Sequence, residues 1–315
     1  MIRGIQLARI ILSSSVFFWH FFSVLSKVEI FERNEFLVDV FKGEEAVVCF
    51  FLLSGFLFGY KDIGVSWIEF VKKRFIKIAP LYYSSLLLGL PLLLMFYGVM
   101  GLNIEDLKWI IAGYLLFLPE LVKSFYPQIY GFLDILWSLG VEMLLYVTFP
   151  LLARVNKGWK IVSLIGVFIF LEHFFRLDEF YIIMWPGIIG FYVGRARHHH
   201  AFKSSYNMEW ILLSIFVPGI PSTVLVAIFT MYLISAPLDK IKRTDILNIV
   251  GVSSFAFYVI HVYFIYGLGK LLLFCDIRLS LLEAIVGSII LYIIVQWISF
   301  IVEYKYVKWL NNYLR

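Results

Sequence analysis

Long apolar runs, separated by short clusters of charged residues, make up most of the sequence. Runs of about 17–22 apolar residues are long enough for a helix to cross the hydrocarbon core of a bilayer. The pattern predicts ten membrane spans, at 5–26, 46–66, 79–99, 135–153, 159–175, 180–194, 206–218, 221–237, 247–273 and 281–303. The seventh and eighth are short because Pro218-Gly219-Ile220-Pro221 interrupts one apolar run.

The basic residues indicate how these spans are oriented. With the N terminus in the cytoplasm, ten spans leave every basic cluster and the C terminus on the cytoplasmic side, as the positive-inside rule requires. The clusters lie at 72–77, 154–160, 195–197, 240–243 and 305–308. This orientation requires an even number of spans, so 109–118 must not cross the membrane. That segment is too short to span the membrane alone. We therefore expect 101–134 to be an outer loop with a re-entrant or interfacial helix.

The composition excludes a soluble protein and a nucleic-acid-binding protein. Hydrophobic residues make up 62% of the chain and charged residues 16%, and the mean hydropathy is +0.89. A soluble domain of this length could not bury so much apolar surface, and the basic residues are dispersed through short connecting segments. We predict an all-α, polytopic membrane protein with one transmembrane domain over 1–315 and no appended soluble domain.

Cysteines and histidines indicate neither a crosslink nor a metal. Cys49 and Cys275 are expected to remain separate thiols, since two cysteines in a membrane protein are more often independent apolar side chains. His198–His200 follow Arg197 in a predicted loop, and three consecutive histidines cannot share one helix face. We therefore expect no metal site.

A polar stripe runs along the first predicted span. Arg9 and His20 are eleven residues apart, which puts them roughly 16 Å apart on one face of a helix. Ser13 and Gln6 fall on the same stripe. Charged and ionisable side chains are unfavourable in hydrocarbon, so the stripe should face a polar interior and indicates a functional site. The alternative is a structural histidine that bonds to a neighbouring helix.

A second stripe lies in the fourth span, where Asp134, Ser138, Glu142 and Tyr146 recur every four residues on one helix face. A buried carboxylate needs a partner. Glu142 lies about two helical turns from the outer end of its span, at a depth comparable to that of His20. Glu142 is therefore a candidate partner for His20.

The ninth span carries a third polar face, with Ser254, Tyr258 and His261 at i, i+4 and i+7. This face has either a role in the site or a structural one, because a tyrosine and a histidine commonly join neighbouring helices through hydrogen bonds.

Clustered cations precede the third span, in Lys72-Lys73-Arg74-Phe-Ile-Lys77-Ile-Ala-Pro80. Clustered cations and a helix N-terminus that starts at proline both favour anions, so the segment predicts a phosphate-binding patch. An ordinary positive-inside anchor is the alternative.

Short segments distributed in order along the chain resemble one known family. They are Arg3-Gly4-Ile5-Gln6-x-x-Arg9 with His20, Phe50-Phe51-Leu52-Leu53-Ser54-Gly55-Phe56, Lys73-Arg74-x-x-Lys77-x-x-Pro80, Trp137-Ser138-Leu139-x-x-Glu142 with Tyr146, and Ser254-Phe-Ala-Phe-Tyr258-Val-Ile-His261 with Glu303. Together they resemble the signature of the acyltransferase 3 family, bacterial integral-membrane enzymes that O-acylate surface polysaccharides. Each segment is short, but in combination they cover almost the whole chain.

The resemblance implies a ten-helix core in the bacterial cytoplasmic membrane with both termini inside. It implies acetyl-CoA, or another short acyl-CoA, as cytoplasmic donor, and a hydroxyl of an undecaprenyl-linked or otherwise outward-facing glycan as acceptor. Membrane lipids are the remaining partners. The chain ends at Arg315 and is expected to be a stand-alone member without the hydrolase-like domain of many relatives.

The resemblance also implies roles for individual residues. His20 is the expected general base, and Glu142 would fix its tautomer; a covalent acyl-His20 intermediate is the variant. Arg74, Lys77 and Lys73 would hold the donor phosphates, while Arg9 would guide the pantetheine arm or brace Glu303. The residues expected to bind substrate or support the structure are Ser54, Trp137, Ser138, Tyr146, Tyr258 and His261.

A proton-coupled transporter or flippase of a glycan or lipid precursor is the main alternative function, because intramembrane His, Glu and Arg also serve transport. No inverted repeat in the sequence supports it. A purely structural membrane protein would leave the aligned polar stripes unexplained.

Overall fold

The computed structural model describes residues 3–60, 66–96, 101–126, 133, 135–154, 184–199, 215–216, 222–235 and 245–307. The elements assigned in these residues are all helical, which confirms the all-α prediction. They are α1 (Arg3–Lys27), α2 (Glu35–Phe41), α3 (Gly43–Tyr60), α4 (Trp67–Phe96), α5 (Ile104–Leu115), α6 (Pro119–Phe125), α7 (Leu136–Leu152), α8 (Met184–His199), α9 (Ser222–Ser235), α10 (Asp245–Phe274), α11 (Leu281–Ile301) and a π-helical turn (Val302–Val307).

Three helical segments of the described residues are long and apolar enough to cross a membrane: Gly4–Lys27, Ile249–Phe274 and Leu281–Lys305. They coincide with the first, ninth and tenth predicted spans. Shorter apolar helices, Leu136–Pro150 and Val224–Ile234, fall in the fourth and eighth. The fifth predicted span and most of the seventh lie outside the described residues. The count of ten spans and the cytoplasmic placement of both termini stay predictions.

The chain divides into two compact units. Unit 1 comprises Met1–Phe50 and Ala201–Tyr313, and unit 2 comprises Phe51–His200 with Leu314–Arg315. The boundary falls inside α3, so this helix contributes residues to both units. One transmembrane domain over the whole chain stays a prediction.

In unit 1, α1 packs along α10 and α11 through an aromatic core. The ring of Phe17 lies 5.6 Å from that of Phe257 in α10 and 5.3 Å from that of Tyr292 in α11, measured between centroids. Nearer the start of α1, a Cβ added to Gly251 of α10 would lie 2.4 Å from the Gln6 Oε1 atom. The two helices therefore approach closely near the start of α1.

In unit 2, α3 and α8 pack backbone to backbone through glycines. Gly55 and Gly59 of α3 face Gly190 and Gly194 of α8, and a Cβ built on any of the four would lie 1.8–2.1 Å from a carbonyl oxygen of the facing helix. Each pair has the small-xxx-small spacing that lets membrane helices come together without side chains between them. No larger residue fits at these four positions.

Helix α8 is also joined to α7, which carries Glu142. The Arg195 guanidinium donates to the Ala153 carbonyl at 2.7 Å, and the Tyr192 hydroxyl donates to the Leu152 carbonyl at 3.1 Å. Both acceptors belong to the end of α7, where carbonyls have no partner within the helix. These bonds fix α7 relative to α8, and therefore relative to α3.

The start of α4 differs from the prediction. The helix begins at Trp67, twelve residues before the predicted span at 79, and Pro80 lies inside it. The Ser66 hydroxyl accepts from the Glu69 N–H at 3.3 Å, and the Glu69 carboxylate pairs with Lys73 at 2.6 Å, so the cationic segment is stabilised as a helix. The predicted helix N-terminus at Pro80, offered as an anion site, is therefore wrong.

Two short helices occupy the described part of 101–134. Helix α5 has 12 residues, begins at an Asn103–Asp106 capping box and ends at Leu115, and α6 has seven residues. Both are shorter than a membrane span requires, as expected for this segment; a re-entrant or interfacial placement stays a prediction. His198 and His199 lie in the last turn of α8 rather than in a loop. Cys49 and Cys275 are free thiols, as predicted.

The glycine contact between α3 and α8 generates a stability prediction. Gly59→Leu should force the two backbones apart, because no side-chain movement relieves a contact with a carbonyl oxygen. Overpacking typically costs about 1–3 kcal/mol, and we expect the upper end, seen as a fall of roughly 6–12 °C in the thermal midpoint in detergent. The control is Gly287→Leu in α11, where an added Cβ meets no atom within 4 Å. Equal shifts for the two variants would contradict the prediction.

Candidate active site

A pair of histidines lies at the contact between α1 and α10. His20 Nδ1 and His261 Nε2 are 3.1 Å apart, a hydrogen-bond distance. His261 is fully buried, whereas His20 is partly exposed. The polar faces of the first and ninth predicted spans therefore meet at these two residues. A hydrogen bond between neighbouring helices is compatible with both interpretations drawn from the sequence, a functional site and a structural histidine.

Each histidine of the pair also contacts a carbonyl of its own helix. His20 Nδ1 lies 3.1 Å from the Val16 carbonyl oxygen, and His261 Nδ1 lies 3.2 Å from the Phe257 carbonyl oxygen. Aromatic rings surround the pair: the centroid of Tyr258 is 5.8 Å from that of His261. These apolar neighbours strengthen electrostatic interactions between the two imidazoles.

The rest of the stripe on α1 has different surroundings. Ser13 and Gln6 are buried, and the Ser13 hydroxyl donates to the Ile10 carbonyl at 3.0 Å, within its own helix. Arg9 lies on the same continuous helix as His20 and is partly exposed. Its roles toward the pantetheine arm or toward Glu303 stay predictions.

In unit 2, Glu142 is the centre of a second polar cluster. The Ser54 hydroxyl of α3 donates to Glu142 Oε1 at 3.3 Å, and the hydroxyl of Tyr146, one turn along α7, donates to the same oxygen. The prediction that Glu142 and Tyr146 share a helix face is confirmed. Asp134, at the start of that stripe, lies outside the described residues.

Arg74 approaches this cluster from α4. Its guanidinium carbon lies 4.3 Å from the centroid of the Phe58 ring, 5.4 Å from that of Phe70 and 5.9 Å from that of Tyr146. The negative charge of Glu142 also attracts it. The Arg74 Nε atom is buried and has no hydrogen-bond partner among the described residues. The aromatic rings thus hold a cation next to the carboxylate.

The other predicted site residues of unit 2 are less closely involved with Glu142. The Lys73 ammonium is exposed and pairs with Glu69, and Lys77 is partly exposed one turn beyond Arg74. Ser138 is buried and donates to the Ile135 carbonyl at 3.1 Å, while the Trp137 ring packs 6.3 Å from the Phe51 ring. Both α7 residues have the contacts expected of structural support.

Sequence reasoning missed two features of these clusters. It assigned Ser54 no partner, although the serine contacts the predicted catalytic carboxylate, and it left Phe58 and Phe70 unmentioned. Periodicity shows which residues share one face of a helix but not which helices adjoin. His20 lies in unit 1 and Glu142 in unit 2, and their predicted pairing stays a prediction.

Comparison with known proteins identifies the family. A family model described as an acyltransferase domain matches residues 2–304 of this 315-residue chain. The chain belongs to the acyltransferase 3 family. Nodulation protein 10 of Rhizobium leguminosarum bv. viciae is 27% identical over 172 residues, which are 47% of this chain and 45% of that protein. The match thus spans less than half the length of this curated relative. No solved structure matches the chain.

The acyltransferase 3 match confirms the resemblance drawn from the short motif segments. It extends over both polar clusters, the histidine pair of unit 1 and the cluster around Glu142 in unit 2. The family assignment therefore applies to the whole set of candidate site residues rather than to one unit.

The contacts of Glu142 generate a prediction for Tyr146→Phe. Removing this hydroxyl takes one donor from a partly buried carboxylate, and the loss of a hydrogen bond to a charged group typically costs about 1.5–3 kcal/mol. Thermal unfolding in detergent should show the loss. The control is Tyr83→Phe, since the Tyr83 hydroxyl donates to the Leu115 carbonyl at 2.9 Å at an exposed site. If Tyr146→Phe were no more destabilising than this control, the tyrosine would not be holding the carboxylate.

Proposed function

We propose that this protein is a membrane-bound O-acyltransferase of the bacterial cytoplasmic membrane. It transfers an acyl group, most simply acetyl, from cytoplasmic acyl-CoA to a hydroxyl of a cell-surface or undecaprenyl-linked glycan. The observation that supports this best is a partly exposed imidazole, His20, held by His261 on an apolar helix of a chain from the acyltransferase 3 family.

The chemistry assigned to His20 is general base catalysis. A sugar hydroxyl is a poor nucleophile near neutral pH, and a positioned imidazole is well suited to accept its proton. As the hydroxyl oxygen attacks the thioester carbonyl, His20 Nε2 takes the hydroxyl proton. The carbon–sulfur bond then breaks, and His20 returns the proton to the leaving sulfur, so the products are the acyl ester and free CoA.

Cations of α4 are assigned to the donor. The phosphates of acyl-CoA are anionic, and the Arg74 guanidinium has a buried Nε atom without a hydrogen-bond partner in the described part of the chain. Lys77 lies one turn further along the same helix, while Lys73 is paired with Glu69. We therefore rank Arg74 and Lys77 above Lys73 as phosphate ligands. Arg9 is the candidate for guiding the pantetheine arm.

Glu142 is the second catalytic candidate. Its carboxylate is held by Ser54 and Tyr146 and is attracted by Arg74. A carboxylate fixed in this way can orient an imidazole or an acceptor hydroxyl. An acyl-His20 intermediate is a variant of the same chemistry, in which the imidazole nitrogen attacks the thioester before the sugar does.

The test is acyl transfer by membranes that contain the protein. Membranes are incubated with labelled acetyl-CoA, and label on the extracted glycan is measured for wild type and for His20→Ala. A general base typically contributes about 10²–10⁴-fold, so His20→Ala should lose at least ~10²-fold of turnover and retain donor binding. His198→Ala, a histidine at the end of α8, is the control and should remain active.

The transporter alternative predicts a different result. A proton-coupled transporter or flippase would move unlabelled glycan precursor across the membrane and put no label on it from any acyl-CoA. Translocation that depends on His20, with no labelled product from wild-type membranes, would contradict the proposal.

The donor assignment leads to a prediction for Arg74→Ala. Hydrogen bonds to charged groups contribute about 1.5–3 kcal/mol, so acyl-CoA affinity should fall by roughly 10- to 150-fold, measured by binding of labelled acyl-CoA to purified protein. Arg74→Lys should also bind weakly, because the planar guanidinium fork is lost while the charge remains. Arg154→Ala removes an exposed cation just beyond α7 and serves as the control. Equal losses for Arg74→Ala and Arg154→Ala would reduce the α4 cluster to a topology anchor.

A further inference from the structure

We propose that His261 is a positioning residue that fixes the tautomer of His20 and stabilises its imidazolium form during acyl transfer. The proposal rests on the proposed function, in which His20 is the general base. It assigns to His261 the orienting role that the sequence suggested for Glu142. The observation behind it is the 3.1 Å contact between His20 Nδ1 and His261 Nε2.

The two backbone carbonyls determine where the ring protons lie. A carbonyl oxygen can only accept a hydrogen bond, so the His261 Nδ1 atom, 3.2 Å from the Phe257 carbonyl, carries the proton. In the neutral ring, His261 Nε2 is then an acceptor. The Val16 carbonyl likewise requires the proton of His20 to be on Nδ1, 3.1 Å away. His20 Nδ1–H is therefore shared between the Val16 carbonyl and His261 Nε2.

This arrangement leaves His20 Nε2 as the unprotonated nitrogen. No described residue makes a hydrogen bond to this atom, and His20 is partly exposed. The Nε2 lone pair is thus available to take a proton from an acceptor hydroxyl. The opposite tautomer, with Nε2 protonated, would point the Nδ1 lone pair at the Val16 carbonyl oxygen and could not act as base.

Burial separates the roles of the two histidines. The side chain of His261 is 0% exposed, so an acceptor sugar cannot reach it. Its ring lies nearly parallel to that of Phe257, with 14° between the planes and 6.0 Å between the centroids, and Phe17 and Tyr258 also pack against it. His261 is therefore held in one orientation, whereas His20 has a free side.

The acceptor nitrogen of His261 acts when His20 becomes charged. Once Nε2 has taken the hydroxyl proton, the positive charge of the imidazolium is shared with Nδ1–H, which His261 Nε2 accepts. Hydrogen bonds to ionised groups are stronger than those between neutral groups, and low-dielectric surroundings add to this. The contact is therefore worth more in the transition state than in the ground state, which raises kcat rather than lowering KM.

Two substitutions at position 261 separate positioning from packing. In His261→Gln the amide can reach the place of Nε2 and accept from His20 Nδ1–H. In His261→Asn the amide is one methylene shorter, stays near the place of Nδ1 and can bond only to its own helix. We expect His261→Asn to lower kcat by about 10- to 100-fold. This is less than the ~10²–10⁴-fold rate contribution of a general base, because His20 itself is still present. The kcat of His261→Gln should stay within about fivefold of the wild-type value. In both variants, KM for acyl-CoA should stay within about twofold of the wild-type value.

A control and a second background complete the experiment. Tyr292→Phe removes a polar contact between α1 and α11, the 2.8 Å bond to the Ser14 hydroxyl, and should retain wild-type kcat. In the His20→Ala background, His261→Asn should cause no further loss, because residues that act as a unit are not additive.

Each other outcome has a defined meaning. Equal kcat for His261→Gln and His261→Asn would overturn the proposal, as would loss of folded protein in both, since the ring would then be only structural. If His20→Ala transfers acyl groups at the wild-type rate, His20 is not the general base, and the proposed function is contradicted whatever the results for the variants at 261. If His20→Ala is inactive and the two variants at 261 do not differ, the proposed function stands and only the role of His261 fails.

Discussion

Burial among apolar side chains governs how polar side chains are arranged in this protein. A buried polar group without a partner costs free energy comparable to a lost hydrogen bond or more. Many described serines and threonines meet this constraint inside their own helix, because they donate to a carbonyl three or four residues earlier; examples are Ser288, Ser299 and Thr148. Such bonds join no helices. Polar contacts between helices are made instead where a side chain reaches a neighbouring helix, as Gln296 does when it donates to the Ser253 hydroxyl at 2.6 Å.

The polar side chains that do join helices are therefore informative about function. His20 meets His261 in unit 1, and Ser54 meets Glu142 in unit 2. Each cluster also holds an atom that no hydrogen bond uses among the described residues, His20 Nε2 in one and Arg74 Nε in the other. A group that is fixed on one side and available on the other is what a reaction requires.

Sequence periodicity predicted which residues share one face of a helix. It did not predict contacts that depend on which helices are neighbours. Arg9 and His20 share one continuous helix, and Glu142 shares a face with Tyr146, as the spacing indicated. The partner of His20 is 241 residues away in the sequence, and no spacing within one helix relates the two. The early start of α4 had a different cause: its charged residues indicate an aqueous location but do not prevent a capped, ion-paired helix from continuing there.

The glycine contact between α3 and α8 has a consequence for Ser54. The bond from Ser54 to the Glu142 carboxylate is already long at 3.3 Å, so a rotation of α3 about its axis would break it. Gly55 and Gly59 lie against carbonyl oxygens of α8 and permit no such rotation. The orientation of Ser54 is thus set by two backbones in direct contact rather than by side-chain packing. The position of the Ser54 hydroxyl relative to Glu142 therefore depends on the absence of side chains at residues 55 and 59, neither of which contacts the carboxylate.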